Sequence, residues 1–149
     1  MLLATIRTRL VDQHAQLRAR IATLLDAAET LSEHDPKAGL LLRTRLAELS
    51  DALERHNREE ERLLSSLIPK LDAWGNVRKR IMDERHAGEH EAQLGALRSI
   101  VDIHPLEASL DAMRRCLQAL VDHIAHEERD VLNPDVLRDD CYAVDAVTD

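Results

Sequence analysis

Apolar side chains recur in steps of three and four along four stretches of the chain, the spacing that places them on one face of an α-helix. In the first stretch Leu10, His14, Leu17, Ile21, Leu24, Ala28 and Leu31 mark the inner stripe of a helix predicted from Leu2 to Leu31. A break follows at Ser32 to Pro36, where Asp35-Pro36 favours a turn and a new helix start. The second stripe reads Leu42, Leu46, Leu49, Leu53, His56, Glu60, Leu63 and Leu67, on a helix predicted from Lys37 to Leu67. Pro69 and the Trp74-Gly75-Asn76 segment should end it. A third helix, Val77 to Val101, carries Met82, His86, His90, Leu94, Leu97 and Val101 on roughly one side, and His104-Pro105 interrupts the chain. A fourth, from about Pro105 to Leu132, carries Met113, Cys116, Leu120, His123 and Glu127 and is closed by Asn133-Pro134. Residues 135–149 show no strong period and read as a short docked or frayed tail.

Four long helices joined by short connections predict an all-α fold, an antiparallel up-down-up-down four-helix bundle over residues 1–134, followed by a C-terminal tail over 135–149. The stripes are not purely apolar. His14, His56, Glu60, His86, His90, His123 and Glu127 occupy slots that the pattern otherwise gives to leucine. At roughly 1.5 Å of rise per residue, His14 and His56 differ in height by only about 3 Å across the first connection. Glu60 matches His86 or His90 comparably well across the second. Across the third connection the match is poorer, by about a turn or two, which a shift of the helix ends absorbs. One layer of the bundle can thus collect five imidazoles and two carboxylates.

Composition narrows the class. Of 149 residues, 44% are apolar and 32% charged, with few glycines and prolines, which suits a compact helical protein. Phenylalanine is absent, so the core must be built from Leu, Ile, Val and Ala. A net charge of −8 argues against a nucleic-acid partner, which would need a basic face. No apolar run approaches a membrane span, and MLLATIRTRL lacks the continuous apolar region of a signal peptide. Cys116 and Cys141 are too few for a disulfide framework, so the expected compartment is the cytoplasm.

The polar layer carries the chemistry. An isolated buried carboxylate is costly unless it is paired or bound to a metal, and imidazole with carboxylate suits iron, manganese, zinc or copper. A single histidine on an apolar stripe is ordinarily a satisfied core residue. Such residues on the inward stripes of all four helices, at matching heights, are much harder to ascribe to chance. His34 and His104 beside prolines, and His126 off the stripe, serve as internal controls and are read as solvated; Glu59, Glu61 and Glu128 are read as outward or supporting carboxylates. Seven ligands exceed what one ion needs and suit two. If both glutamates and an oxide or hydroxide bridge a pair of six-coordinate ions, one position stays open for a small ligand. The zincin pattern His-Glu-x-x-His fails at His126, and no histidine has the Glu three residues before it that ferritin-like di-iron sites use.

The order His14, His56-x-x-x-Glu60, His86-x-x-x-His90, His123-x-x-x-Glu127 resembles the hemerythrin-like, or HHE cation-binding, domains over roughly Thr8 to Pro134. The Glu60-Glu61 and Glu127-Glu128 doublets and Pro134 add to the likeness. The resemblance implies a non-haem centre of two iron ions, oxo- or hydroxo-bridged. His86, His90 and His123 would hold one ion, His14 and His56 the one with the open position, and Glu60 and Glu127 would bridge. Leu120 would wall the ligand pocket. Glu127 stands four residues after His123, where oxygen carriers of the family have an Asp at five, and this resembles bacterial members. Pro69 falls later after His56 than Pro134 does after His123, which suggests a different end to the second helix. The implied function is reversible binding of O2 or another diatomic ligand, for storage, delivery or sensing, by a binding protein rather than an enzyme. The alternatives are a di-iron oxidoreductase acting on peroxide or nitric oxide, and an iron-binding regulatory module.

Overall fold

Four helices build the protein in a computed structural model, which describes residues 3–30, 36–67, 75–102 and 109–133, apart from the side chains of residues 75–79, 81, 82 and 85. They are α1 (Leu3–Glu29), α2 (Pro36–Leu67), α3 (Gly75–Val101) and α4 (Leu110–Asp130). No strand occurs among the described residues. Helix α2 opens on Pro36, whose fixed φ and missing N–H suit a first helical position. Helix α3 begins at Gly75, inside the segment expected to be a break; the first N–H groups of a helix have no intrahelical acceptor, so a glycine there sacrifices little. Helix α4 ends at Asp130 rather than Leu132. The N–H groups of Val131 and Leu132 both return to the Glu127 carbonyl, at 2.8 and 2.9 Å. Leu31, His34, Pro69, Trp74, His104, Pro105, Pro134 and residues 135–149 lie outside the described residues, as does the side chain of Met82.

Each helix packs chiefly against two others: α1 on α2 and α4, and α3 on α2 and α4, which closes a four-helix bundle. Polar ties between the helices fix the register. Arg43 of α2 donates to the Val101 carbonyl, and Glu54 accepts from Arg98 at 2.7 Å. Farther along α2, Glu61 meets His90. At the other seam, Arg7 Nε donates to the Leu132 carbonyl at 2.6 Å and Arg18 binds Glu128.

The apolar interior is split in two. The larger cluster holds Leu17, Ile21, Leu24, Leu42, Leu46, Leu49, Leu53, Leu97, Met113, Leu117, Leu120 and Ile124. The smaller holds Leu3, Ile6, Leu10, Leu63, Leu64, Leu67 and Leu132. Between them in sequence stand His14, His56, Glu60 and Glu127, which are themselves buried. The polar layer is therefore an insert between two dry leucine layers. The buried stripe of α4 runs Met113, Leu117, Leu120, Ile124, Glu127. Cys116 and His123, expected on that stripe, are only partly buried at its edge. Ser50, another buried polar side chain of α2, is satisfied locally by donating to the Leu46 carbonyl at 3.0 Å.

No described helix is long and apolar enough to cross a membrane.

Candidate metal centre

The sequence placed seven polar side chains in one layer, and the structure brings all seven together. They form two groups of ligand atoms, each lying within 4.8 Å of one another: His86, His90, His123 and Glu127 in one, His14, His56, Glu60 and Glu127 in the other. Helical spacing explains the pairs within one helix, since residues four apart stand one turn apart on one face. The long-range match comes from the register of the bundle.

Glu127 is common to both groups, and its two oxygens divide between them. Oε1 lies 3.1 Å from His90 Nε2 and 3.6 Å from His86 Nδ1, and contacts His123 Nε2. Oε2 lies 3.3 Å from His14 Nε2. Glu60 Oε2 also stands between the groups, 3.4 Å from His56 Nε2 and 3.9 Å from His90 Nε2. On the first side, the rings of His86, His90 and His123 surround a common centre, with centroids 5.2 to 5.9 Å apart. On the second, His14 and His56 face each other with their Nε2 atoms 3.0 Å apart.

Four of the rings have a side-chain oxygen close to their far nitrogen, hydrogen-bonded in three cases and in ion-pair range in the fourth, and these oxygens form a cyclic pattern. Gln13 Oε1, on α1, meets His56 Nδ1 of α2 at 2.8 Å. Glu61, on α2, meets His90 Nδ1 of α3 at 3.3 Å. Glu89, on α3, meets His123 Nδ1 of α4 at 3.4 Å. Glu128, on α4, meets His14 Nδ1 of α1 at 3.1 Å. Each is the sequence neighbour of one candidate ligand and meets a candidate ligand on the next helix round the bundle. The cause is helical geometry: a residue one position from an inward slot is turned by about 100°, toward the adjacent helix. Acceptors of this kind fix the ring and raise its strength as a donor.

Glu61 and Glu128, read from sequence as outward or supporting, are thus supporting groups. Gln13 and Glu89 were not singled out from sequence, although each immediately precedes a ligand histidine. Gln13 is the one neutral member of the set. Its amide is held in a single sense, because Nε2 donates to Glu59 Oε2 at 2.8 Å while Arg9 reaches Glu59 Oε1 at 2.5 Å. His56 then donates from Nδ1 to Gln13, which leaves Nε2 facing the interior. Glu128 is clamped by Arg18 through two bonds of 2.9 Å.

A model of the hemerythrin HHE cation-binding domain matches residues 5–133. The chain belongs to that family. Searches of curated proteins and of solved structures give no match.

The donor set of this hemerythrin domain fits metal cations on its own chemistry. Both oxygens of Glu60 are buried without a hydrogen-bond partner, a costly arrangement for a carboxylate. The first group offers three imidazoles and a carboxylate oxygen, and the second two imidazoles and two carboxylate oxygens. Mixed nitrogen and oxygen donors of this type suit first-row transition metals.

The electrostatics of the hemerythrin centre give a pH signature. Burial by itself would lower the pKa values of His14 and His90, but the neighbouring carboxylates Glu127 and Glu60 outweigh it, with Glu128 adding to His14 and Glu61 to His90, and both end above the ordinary 6.5. Burial would likewise raise Glu127, yet the imidazoles of His123, His14 and His90 held against its oxygens keep it far below the ordinary carboxylate range. In the chelator-stripped protein, protonated His14 and His90 therefore stabilise the fold fully below pH 6.5, and that contribution is lost as pH rises through their folded values. The Glu127 contribution is present above its unfolded pKa and is lost only as pH falls into strong acid. Metal binding runs the other way, since a ligand imidazole must shed its proton. The gap in melting temperature between metal-loaded and stripped protein is expected to widen between about pH 6 and pH 8. Calorimetric melts of both forms across that range measure it, and a gap that narrows with rising pH would contradict the assignment.

Proposed function

We propose that this hemerythrin domain is a non-haem di-iron protein that binds O2 reversibly, for storage, delivery or sensing. In this reading His86, His90 and His123 hold one ion and His14 and His56 the other. Glu60 and Glu127 would be shared between the two ions. The observation that carries it is Glu127, whose Oε1 faces the three-imidazole group while its Oε2 faces His14. The inequality of the groups, three imidazoles against two, leaves the second ion as the one with room for a diatomic ligand. Iron bound there supplies the redox chemistry. The chain's own side chains position the ions, supply anionic charge and keep water away on one side.

The helices are taken to run alternately up and down. The pairings Arg43 with Val101, Glu54 with Arg98 and Glu61 with His90 support this, because α2 advances while α3 recedes. Leu120 is assigned to the apolar wall of the pocket. It is 2% exposed and belongs to the same cluster as Leu17 and Leu53, each three residues from a ligand histidine, as Leu120 is from His123.

The test is metal analysis with the optical spectrum of the reduced protein before and after air. About two irons per chain and a charge-transfer band in the near-ultraviolet and blue that fades again under vacuum are expected. Rapid irreversible oxidation with turnover of peroxide or nitric oxide would instead establish the oxidoreductase reading. One observation favours that alternative: two clefts, of about 230 and 220 Å3, reach Glu60 with His86 and His56, so the centre is not sealed on every side.

A further inference from the structure

The described lining residues of the two clefts differ in charge. The first, about 230 Å3, opens between α2 and α3. Glu60 and Leu64 form its floor, at 1% and 0% exposure. His86 lies beside them, and Glu61, Ser65 and Asp83 stand nearer the solvent. Three carboxylates line it, and no Lys or Arg is among its described lining residues. The second, about 220 Å3, opens between α1 and α2 and reaches His56, but Arg20 and Arg55 flank it with Glu59 as the lone carboxylate. A cation approaching by that side meets two guanidinium groups.

We propose that the α2–α3 cleft is the loading route of the metal centre, a transit site for a hydrated divalent cation in which Glu61 and Asp83 receive the ion and Glu60 with His86 draws it inward. The inference rests on the di-iron reading above. Four features carry it. Glu60 is buried on the cleft floor with neither oxygen hydrogen-bonded, so the deep end of the cleft holds a carboxylate with acceptor capacity to spare. Glu61 belongs to both environments, being 46% exposed while its Oε1 stands 3.3 Å from His90 Nδ1. His86 is, with His123, the most exposed ligand ring, its side chain 12% accessible against 0 to 5% for His14, His56 and His90. Finally, two carboxylates bind a hydrated divalent ion weakly enough to release it, whereas the mixed imidazole and carboxylate set behind them removes more of its water.

The experiment is a timed uptake assay on the chelator-stripped full chain. Fe2+ is added anaerobically, a strong external chelator quenches at intervals, and protein-bound iron is measured. Combining Glu61→Gln with Asp83→Asn is expected to slow loading about tenfold at low ionic strength, and added salt should slow the wild type far more than the double variant. Asp83→Lys alone should slow it as well, with the same iron content at the end. Asp83 is exposed, so its replacement leaves the core packing intact and separates transit from the support that Glu61 gives His90. Arg55→Gln, on the other cleft, should not slow uptake. An Asp83→Lys chain that loads at the wild-type rate, or an Arg55→Gln chain that loads more slowly, overturns the route. A wild-type chain that takes up no iron overturns the metal centre itself.

Discussion

Glu127→Ala is expected to reduce bound iron from about two ions per chain to less than one, a larger loss than any other single ligand substitution should cause. Glu127 alone touches both donor groups through different oxygens: Oε1 faces His90 and His86, and Oε2 faces His14. Its removal takes one donor from each group and withdraws the anion that four imidazoles share. Glu60→Ala should do less, because the three-imidazole group with Glu127 is complete without it. Glu128→Gln should do less still. It leaves every donor in place and alters only the acceptor behind His14, a change that ordinarily costs about 10–100-fold in affinity rather than the ion itself. Stability should follow occupancy. A ligand present at about 1,000 times its dissociation constant stabilises the fold by about 4 kcal/mol, so Glu127→Ala should melt near the temperature of the chelated wild type, and chelator should shift it little. Metal analysis after iron-replete expression, with melts in the presence and absence of chelator, measures both effects. A Glu127→Ala protein that keeps both ions would remove the carboxylate from the centre.

Leu120→Ala should shorten the life of the oxygenated protein without changing its iron content. Leu120 is 2% exposed and packs in the apolar cluster with Leu17, Leu53 and Ile124, the leucine layer on one side of the imidazoles. Bound oxygen is lost as superoxide or peroxide when water and protons reach it, so a dry wall favours release of O2 unchanged. Truncation to alanine removes buried volume and should cost about 2–5 kcal/mol of stability. That loss alone would not identify a pocket wall, so Leu46→Ala is the control. Leu46 is fully buried in the same cluster, two turns of α2 before Leu53, and its truncation should destabilise the fold comparably while leaving oxygen retention unchanged. Decay of the oxygenated spectrum at equal iron loading is the measurement. Equal decay in Leu120→Ala and wild type would show that Leu120 does not guard the site, and the carrier reading would lose its main mechanistic support.

The four helices and the membership of the polar layer were legible in the residue pattern alone. Period-three-and-four spacing depends only on local geometry, and a histidine or glutamate that replaces leucine in such a stripe must go where the leucine would have gone. His14, His56, Glu60, His90 and Glu127 are buried for that reason. Tertiary structure decided what depends on how each helix is rotated against its neighbours. In α4 the apolar arc is wide enough to accommodate two stripes, and packing chose Leu117 and Ile124 over Cys116 and His123 for the deepest positions, leaving His123 at the edge where Glu89 reaches its Nδ1. The ring-holding acceptors Gln13, Glu61, Glu89 and Glu128 all lie one residue from a ligand, but what each one holds is on another helix. The division of the Glu127 oxygens between the two groups is likewise a product of helix register. Local periodicity tells which side of a helix faces inward; only the assembled bundle brings four such sides to one height and sets which neighbour each flanking residue meets.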